Sequence, residues 1–256
     1  MKILAYDTSS KYLSVAVAKD GEILSNFHED KGMSHSSLLI PTIDSVLKKA
    51  NLKLKDIDVI ALSIGPGSFT GLRIGVSTVK AISLALKIPA IGVPSLDVIA
   101  YTYVKYTDDH RLRHADDRRL EDTDDHRLKT DDHRYLAPIL DAKKNKVYSA
   151  IYDISQGSVN RKTDYLLLDI DTLLAKIDQP TLFFGDGLNL YGKYIEEKSP
   201  FVKISKSQDW YPRAETVALL AFEKAKKRQF DDIDSLVPMY LHPKECNIKR
   251  FEERVK

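Results

Sequence analysis

The sequence predicts an α/β protein with mixed sheets flanked by helices, and three observations predict it. The first hundred residues alternate strand-like and helix-like patterns in the order β-β-β-α-β-α-β. One apolar run, Ile57 to Ile64, is almost unbroken, as in a strand buried on both faces. Beyond a highly charged interruption the same alternation returns in shorter form. With 43% hydrophobic residues over 256 positions, the chain can bury a core in one large domain or two modest ones.

The elements follow in order. Ile3 to Tyr6, Tyr12 to Ala18 and Glu22 to Phe27 are short strands joined by turns, with Gly21 at the second turn, and read as an antiparallel meander. A helix is expected from about Ser36 to Ala50, with Leu39, Ile43, Val46 or Leu47, and Ala50 on one face. Pro41 falls early in it, where a missing N–H costs least. The apolar strand 57–64 gives way to GPGSFTG, a helix from about Phe69 to Lys87, a strand at Ala90 to Val93 and a further helix from Ser95. In the second half, Leu136 to Leu140 and Val147 to Tyr152 flank a turn at 143–146 like a hairpin. Strands at Thr163 to Leu168 and Thr181 to Phe184, a short helix from Thr172, and an amphipathic helix from Ala214 to Arg228 complete the pattern.

Residues 107–134 break it. TDDHRL, ADDRRL, TDDHRL and TDDHRY recur there, with ten acidic residues, seven basic ones and four of the seven histidines. So polar a tract cannot offset the entropy of ordering itself and is expected as an inserted, unstructured loop, with a short charged helix as the alternative. The insertion at 107–134 separates the segments 1–104 and 135–256, which become a first lobe and a smaller second lobe under the two-lobed fold that the resemblance described below implies.

Formal net charge is +2, so bulk electrostatics does not mark a nucleic-acid binder, which needs a clustered basic excess. Cys246 is the single cysteine, and an intrachain disulfide is excluded. The N-terminal apolar run stops at Asp7, too short for a signal-peptide core, and no uninterrupted apolar run reaches the roughly 18 to 20 residues of a membrane helix. A soluble, cytoplasmic protein is expected.

Two motifs invite chemistry. Asp7-Thr8-Ser9-Ser10 ends the first strand, where an acid could orient a metal-bound phosphate, though Asp and Ser make such turns routinely by bonding local backbone. In Gly65-Pro66-Gly67-Ser68-Phe69-Thr70-Gly71 the glycines permit a sharp strand-to-helix turn, Ser68 is placed to cap the helix, and free N–H groups could hold an anion. The lysine of a nucleotide P-loop is missing. Gly71 and Gly75 lie one turn apart, giving a smooth face that serves either close packing within the domain or approach by a partner helix.

ILAYDTSS, SHSSLLIPTID, GPGSFTGLRIG with IPAIGVPSL, and ILDAKKNKVYSAIYD resemble the TsaB family, strongly over residues 1–100 and clearly over 136–153. TsaB is the dimerisation subunit of the bacterial complex that makes threonylcarbamoyladenosine in tRNA. The resemblance implies an actin-like, two-lobed fold of the sugar-kinase and heat-shock ATPase class. It also implies a non-catalytic subunit without cofactor, bound to a TsaD-like catalytic subunit and to the complex's ATPase subunit, meeting tRNA only through the complex. The catalytic relative TsaD holds metal through two histidines four apart. Ser95 and Ile99 stand at those positions here, and isoleucine ligates nothing. His110 and His114 share the spacing but belong to the charged repeat. Asp7, Asp141 and Gly185-Asp186-Gly187 look like relics of a nucleotide site, and each is equally plain as a turn.

Apolar and small residues spread over more than one stripe on the first two helices. Leu38, Leu39, Ile43 and Leu47 on the first, with Leu72, Gly75, Val76, Val79 and Ile82 on the second, are therefore expected to form the partner interface. A two-fold homodimer through the same face is expected when the partner is absent. A stand-alone ATPase or transferase of the same fold is the alternative. A peptidase is disfavoured: there is no HExxH, and Cys246 has no evident histidine and acid partner.

Overall fold

The computed structural model describes residues 1–32, 34–113, 133–155, 158–205 and 211–242, the side chains of 106–113 excepted. Two sheets make two lobes. In the first, β1 (Lys2–Asp7), β2 (Tyr12–Lys19) and β3 (Glu22–Asp30) form the antiparallel meander, and β4 (Val59–Gly65) and β5 (Ala90–Pro94) join in parallel, in the order β3-β2-β1-β4-β5. Side chains alternate across β1. Leu4 and Tyr6 enter a core with α1 (His35–Lys49) and α2 (Phe69–Leu86), while Ile3 and Ala5 face the opposite side. β4 does the same, sending Ile60 and Leu62 one way and Val59 and Ala61 the other, which is why its sequence reads as unbroken apolar.

The opposite face is covered by a helix from far along the chain. α6 (Ala214–Lys226) packs Val217, Ala218, Ala221 and Ala225 on the first sheet, although its sequence lies in the stretch expected as the second lobe. α3 (Ser95–Arg113) leaves β5 and lies between the sheets. It runs on through the first unit of the charged repeat, whose residues 114–132 lie outside those described.

The second sheet has the order β10-β7-β6-β11-β12, with β8 on the far half of β6 and β9 on β8. β6 (Tyr135–Asp141) and β7 (Val147–Ser149) are the expected hairpin, and β11 (Thr181–Phe184) and β12 (Val202–Ile204) run parallel to β6. β8 (Tyr152–Ser155), β9 (Ser158–Arg161) and β10 (Leu166–Leu168) complete it, flanked by α4 (Ile170–Leu174) and α5 (Leu188–Lys198). α2 has the length and composition of a membrane span, yet it lays Val76, Val79 and Ile82 on the first sheet.

Candidate functional site

The Gly-rich turn between β4 and α2 closes down on the turn between β1 and β2. Ser68 N–H donates to Ser9 O at 2.7 Å, and Thr8 Oγ1 donates to Gly71 O at 2.8 Å. A Cβ on Gly67 would lie 2.4 Å from Ser9 O, and one on Gly71 1.9 Å from Thr8 O. Ser68 caps α2 as its position suggests, accepting from Gly71 N–H at 3.2 Å. The backbone groups that could greet an anion are thus turned partly onto the chain itself, and the glycines are needed for two loops to touch.

Asp7 ends β1, fully buried, accepting from Ser9 N–H at 2.9 Å and from Ser9 Oγ at 2.9 and 3.1 Å. Burial pushes its carboxyl up to about 6, against the opposing pull of Ser63, Ser9 and the His35 ring. His35 is itself buried, its Nε2 donating to Ser10 O at 2.7 Å. The other candidate nucleotide residues meet in the second lobe. Asp186 accepts from Asp141 N–H at 3.0 Å, and Gly187 N–H donates to Ile139 O at 3.1 Å. Gly185 has φ +115°, and a Cβ there would meet Ile139 O at 2.2 Å, so close packing on β6 accounts for this glycine. Burial raises the Asp186 carboxyl, and Lys143 bonds Asp141 directly. Ser95 and Ile99 are both buried at the start of α3, Ile99 within the second-lobe core. Among the described residues no three His, Cys, Asp or Glu side chains are grouped to hold a metal; the side chains of His110 and His114 lie outside that set.

The expected interface needs correcting. Leu39, Ile43 and Leu47 of α1 and Val76, Val79 and Ile82 of α2 are buried in the first core, at most 8% exposed, with Leu38 packed against it, and Leu72 of α2 is buried too, beside Gly65. Gly75 is buried too: Tyr6 Oη donates to its carbonyl at 2.8 Å, and a Cβ would meet Thr8 Oγ1 at 2.7 Å. Helical spacing identifies an apolar stripe but not what covers it, and here the sheet covers it. Gly71 and Gly75 admit β1 and its turn, not a partner helix.

What the helices turn outward is different. Ser77, Ala81 and Ala85 of α2 recur every four residues along one exposed stripe, with Leu84 60% exposed beside them. α1, packed alongside, adds Ile40 at 55% exposed and Pro41. Phe69, 45% exposed, stands at the start of α2 under the Arg73 guanidinium, 3.8 Å from its ring centroid. The four-residue recurrence of small side chains is present in the sequence, but the larger residues one position away overshadow it.

Two sheets of this topology with their flanking helices have a counterpart among solved structures. A YeaZ-like protein from Pseudomonas aeruginosa, described as similar to a peptidase, has the same fold: TM-score 0.72 at 24% identity over 94% of this chain and 99% of that one. The family model for TsaD, tRNA N6-adenosine threonylcarbamoyltransferase, matches residues 23–111. The tRNA threonylcarbamoyladenosine biosynthesis protein TsaB of Bacillus subtilis is 27% identical over 99% of this chain and all of the relative. That of Buchnera aphidicola from Schizaphis graminum is 41% identical over 98 residues, 38% of this chain and 46% of the relative. The chain is thus similar to TsaB proteins along its whole length.

Proposed function

We propose that this chain is the non-catalytic partner subunit in the formation of threonylcarbamoyladenosine in tRNA, and that it supports a TsaD-like catalytic subunit. One observation carries the non-catalytic part. The Gly-rich turn rests on the backbone of Thr8 and Ser9, so that the groups which could have met a phosphate are turned onto the chain itself. Ser95 and Ile99, which stand at the metal-ligand positions of the TsaD relatives, are packed inside. The likeness to proteins named for threonylcarbamoyladenosine biosynthesis, over the whole chain, supports the pathway.

The docking face we propose is the outward side of α1 and α2: Ile40, Ser77, Ala81, Leu84 and Ala85. Small residues at four-residue spacing let a partner helix approach closely, and exposed Leu and Ile supply apolar area. The same face would serve a two-fold homodimer when the partner is absent. The complex's ATPase subunit and tRNA are reached through the catalytic partner, no cofactor is bound, and the setting is the cytoplasm. The test is co-purification with the cognate TsaD-like protein, alongside ATP hydrolysis and threonylcarbamoyl transfer assays of this chain alone. A stable complex with no turnover by the lone chain is expected. Turnover by the lone chain that is lost in Asp7→Ala would favour the stand-alone enzyme instead.

A further inference from the structure

Actin-like folds place a cleft between two lobes, and swinging about that cleft needs a seam that can give. Among the described residues the seam of this chain is fastened at two places, by elements that share no residue. The first fastening is α3, which is a wall of both lobes at once. Val98 enters the first core, and Thr102 Oγ1 donates to Thr216 Oγ1 of α6 at 2.9 Å. Leu96, Ile99, Ala100 and Tyr103 enter the second core, where the Tyr103 and Phe184 rings lie 4.6 Å apart. Between these, Asp97 takes two phenols on one carboxylate, Tyr152 Oη at 2.7 Å and Tyr165 Oη at 2.8 Å, both from the second lobe. One helical turn on, Tyr101 Oη donates to Val159 O at 3.0 Å. Tyr152 is 1% exposed, so its hydroxyl has no water to fall back on if Asp97 moves away.

The second fastening is the segment after α6. Asp231 takes the free edge of β5, donating to Ala90 O at 3.0 Å and accepting from Gly92 N–H at 2.7 Å. Leu236 is buried in the first core, and Met239 N–H donates to Ile64 O at 2.7 Å. Arg73 Nε donates to Tyr240 Oη at 3.2 Å. The strap then crosses to the second lobe, where His242 Nε2 donates to Ala142 O at 3.1 Å and its ring stands edge-on to Tyr148.

We propose that these two fastenings lock the lobes at a single angle, with Asp97 and His242 as the positioning residues, so that the chain does not open and close as a hinged enzyme does. Two separate fastenings leave rotation only about the line joining them. α3, packed into both cores over successive turns, blocks that rotation as well. Such a lock makes the chain a rigid brace, and it holds for the chain by itself, whether or not anything docks on α1 and α2.

The test is a distance measurement between the lobes in the full chain. Spin labels are placed at Ser45→Cys on α1 and Glu197→Cys on α5, both exposed, in a Cys246→Ser background diluted with unlabelled protein. The wild-type seam should give one narrow distance that does not move on adding magnesium and ATP. Asp97→Ala combined with His242→Ala should give a broadened or second distance while circular dichroism stays native. Should that pair fail to fold, Asp97→Asn with Tyr165→Phe and His242→Phe weakens both fastenings while keeping most of the packing, and carries the same expectation. A wild-type distribution with two distances, or one that shifts with ATP, overturns the lock. So does a folded variant as narrow as wild type.

Discussion

Gly71 sits so close to Thr8 that a Cβ in place of its hydrogen would fall 1.9 Å from the Thr8 carbonyl oxygen, while the Thr8 hydroxyl donates to the Gly71 carbonyl at 2.8 Å. The first turn of α2 is in this way clamped to the end of β1, and backbone atoms on both sides leave nothing soft to give. Gly71→Ala should therefore destabilise the fold by several kcal/mol, on the order of the cost of overpacking at its upper end. Gly192→Ala is the control. It lies in α5, where an added methyl would stand 3.7 Å from its nearest neighbour, and helix propensity favours alanine there by roughly 0.5–1 kcal/mol. Urea unfolding of both variants checks the contrast, and equal midpoints would show that the clamp is slack.

That pair also shows what the sequence can and cannot convey. Ser68 as a cap, the unbroken strand at β4 and the strand Thr181–Phe184 follow from local rules, because caps and burial on two faces leave marks in consecutive residues. Gly71 and Gly75 mark close approach equally well, but the approaching body is β1 and its turn, sixty residues away, and no spacing names it. The large residues on α1 and α2 suggest a partner for the same reason: an amphipathic stripe looks alike under a sheet and under another chain. α6 joins the first sheet because Ala214 N–H reaches Ser14 Oγ at 2.8 Å, a contact across two hundred residues. β8 and β9 are four residues each, and β9 is mostly exposed, so neither carries enough pattern to stand out.

Asp7 makes a pH prediction whose sign is fixed by burial. Burial pushes its carboxyl from the ordinary 3.8 up to about 6, so the fold prefers the protonated acid. The stabilising contribution is present in full below the ordinary value and is lost as pH rises from 3.8 through about 6, after which it is flat. A displacement of that size corresponds to roughly 3 kcal/mol as an order of magnitude. Asp7→Asn removes the titration, and its amide oxygen can still accept from Ser9 N–H. The stability of wild type relative to Asp7→Asn should then fall by about 1–3 kcal/mol between pH 4 and pH 7.5. Urea unfolding at several pH values would decide, and a difference that does not vary with pH would mean that Asp7 is not held in this state.

The outward face of α1 and α2 gives the prediction that bears most directly on the proposed function, because it separates the proposed docking surface from the core beneath it. Ala81 and Leu84 are exposed, with Leu84 at 60%, while Val79 and Ile82, two residues before each, are at most 8% exposed. Ala81→Arg and Leu84→Asp put bulk and charge where a partner helix would lie, on side chains that point away from the core. Each should change the stability of the isolated chain by no more than about 0.5 kcal/mol, as surface substitutions do. Together they should abolish co-purification with the TsaD-like protein, since the two introduced charges, even paired with each other at i,i+3, would have to be desolvated in an apolar contact. Val79→Ala should do the reverse, lowering the unfolding midpoint by an amount worth about 1–3 kcal/mol while leaving pairing intact in the fraction that folds. Thermal unfolding and sedimentation with the partner read the two effects independently. If Ala81→Arg and Leu84→Asp together pair as tightly as the unaltered chain, the partner docks elsewhere, however well the helices fit the part.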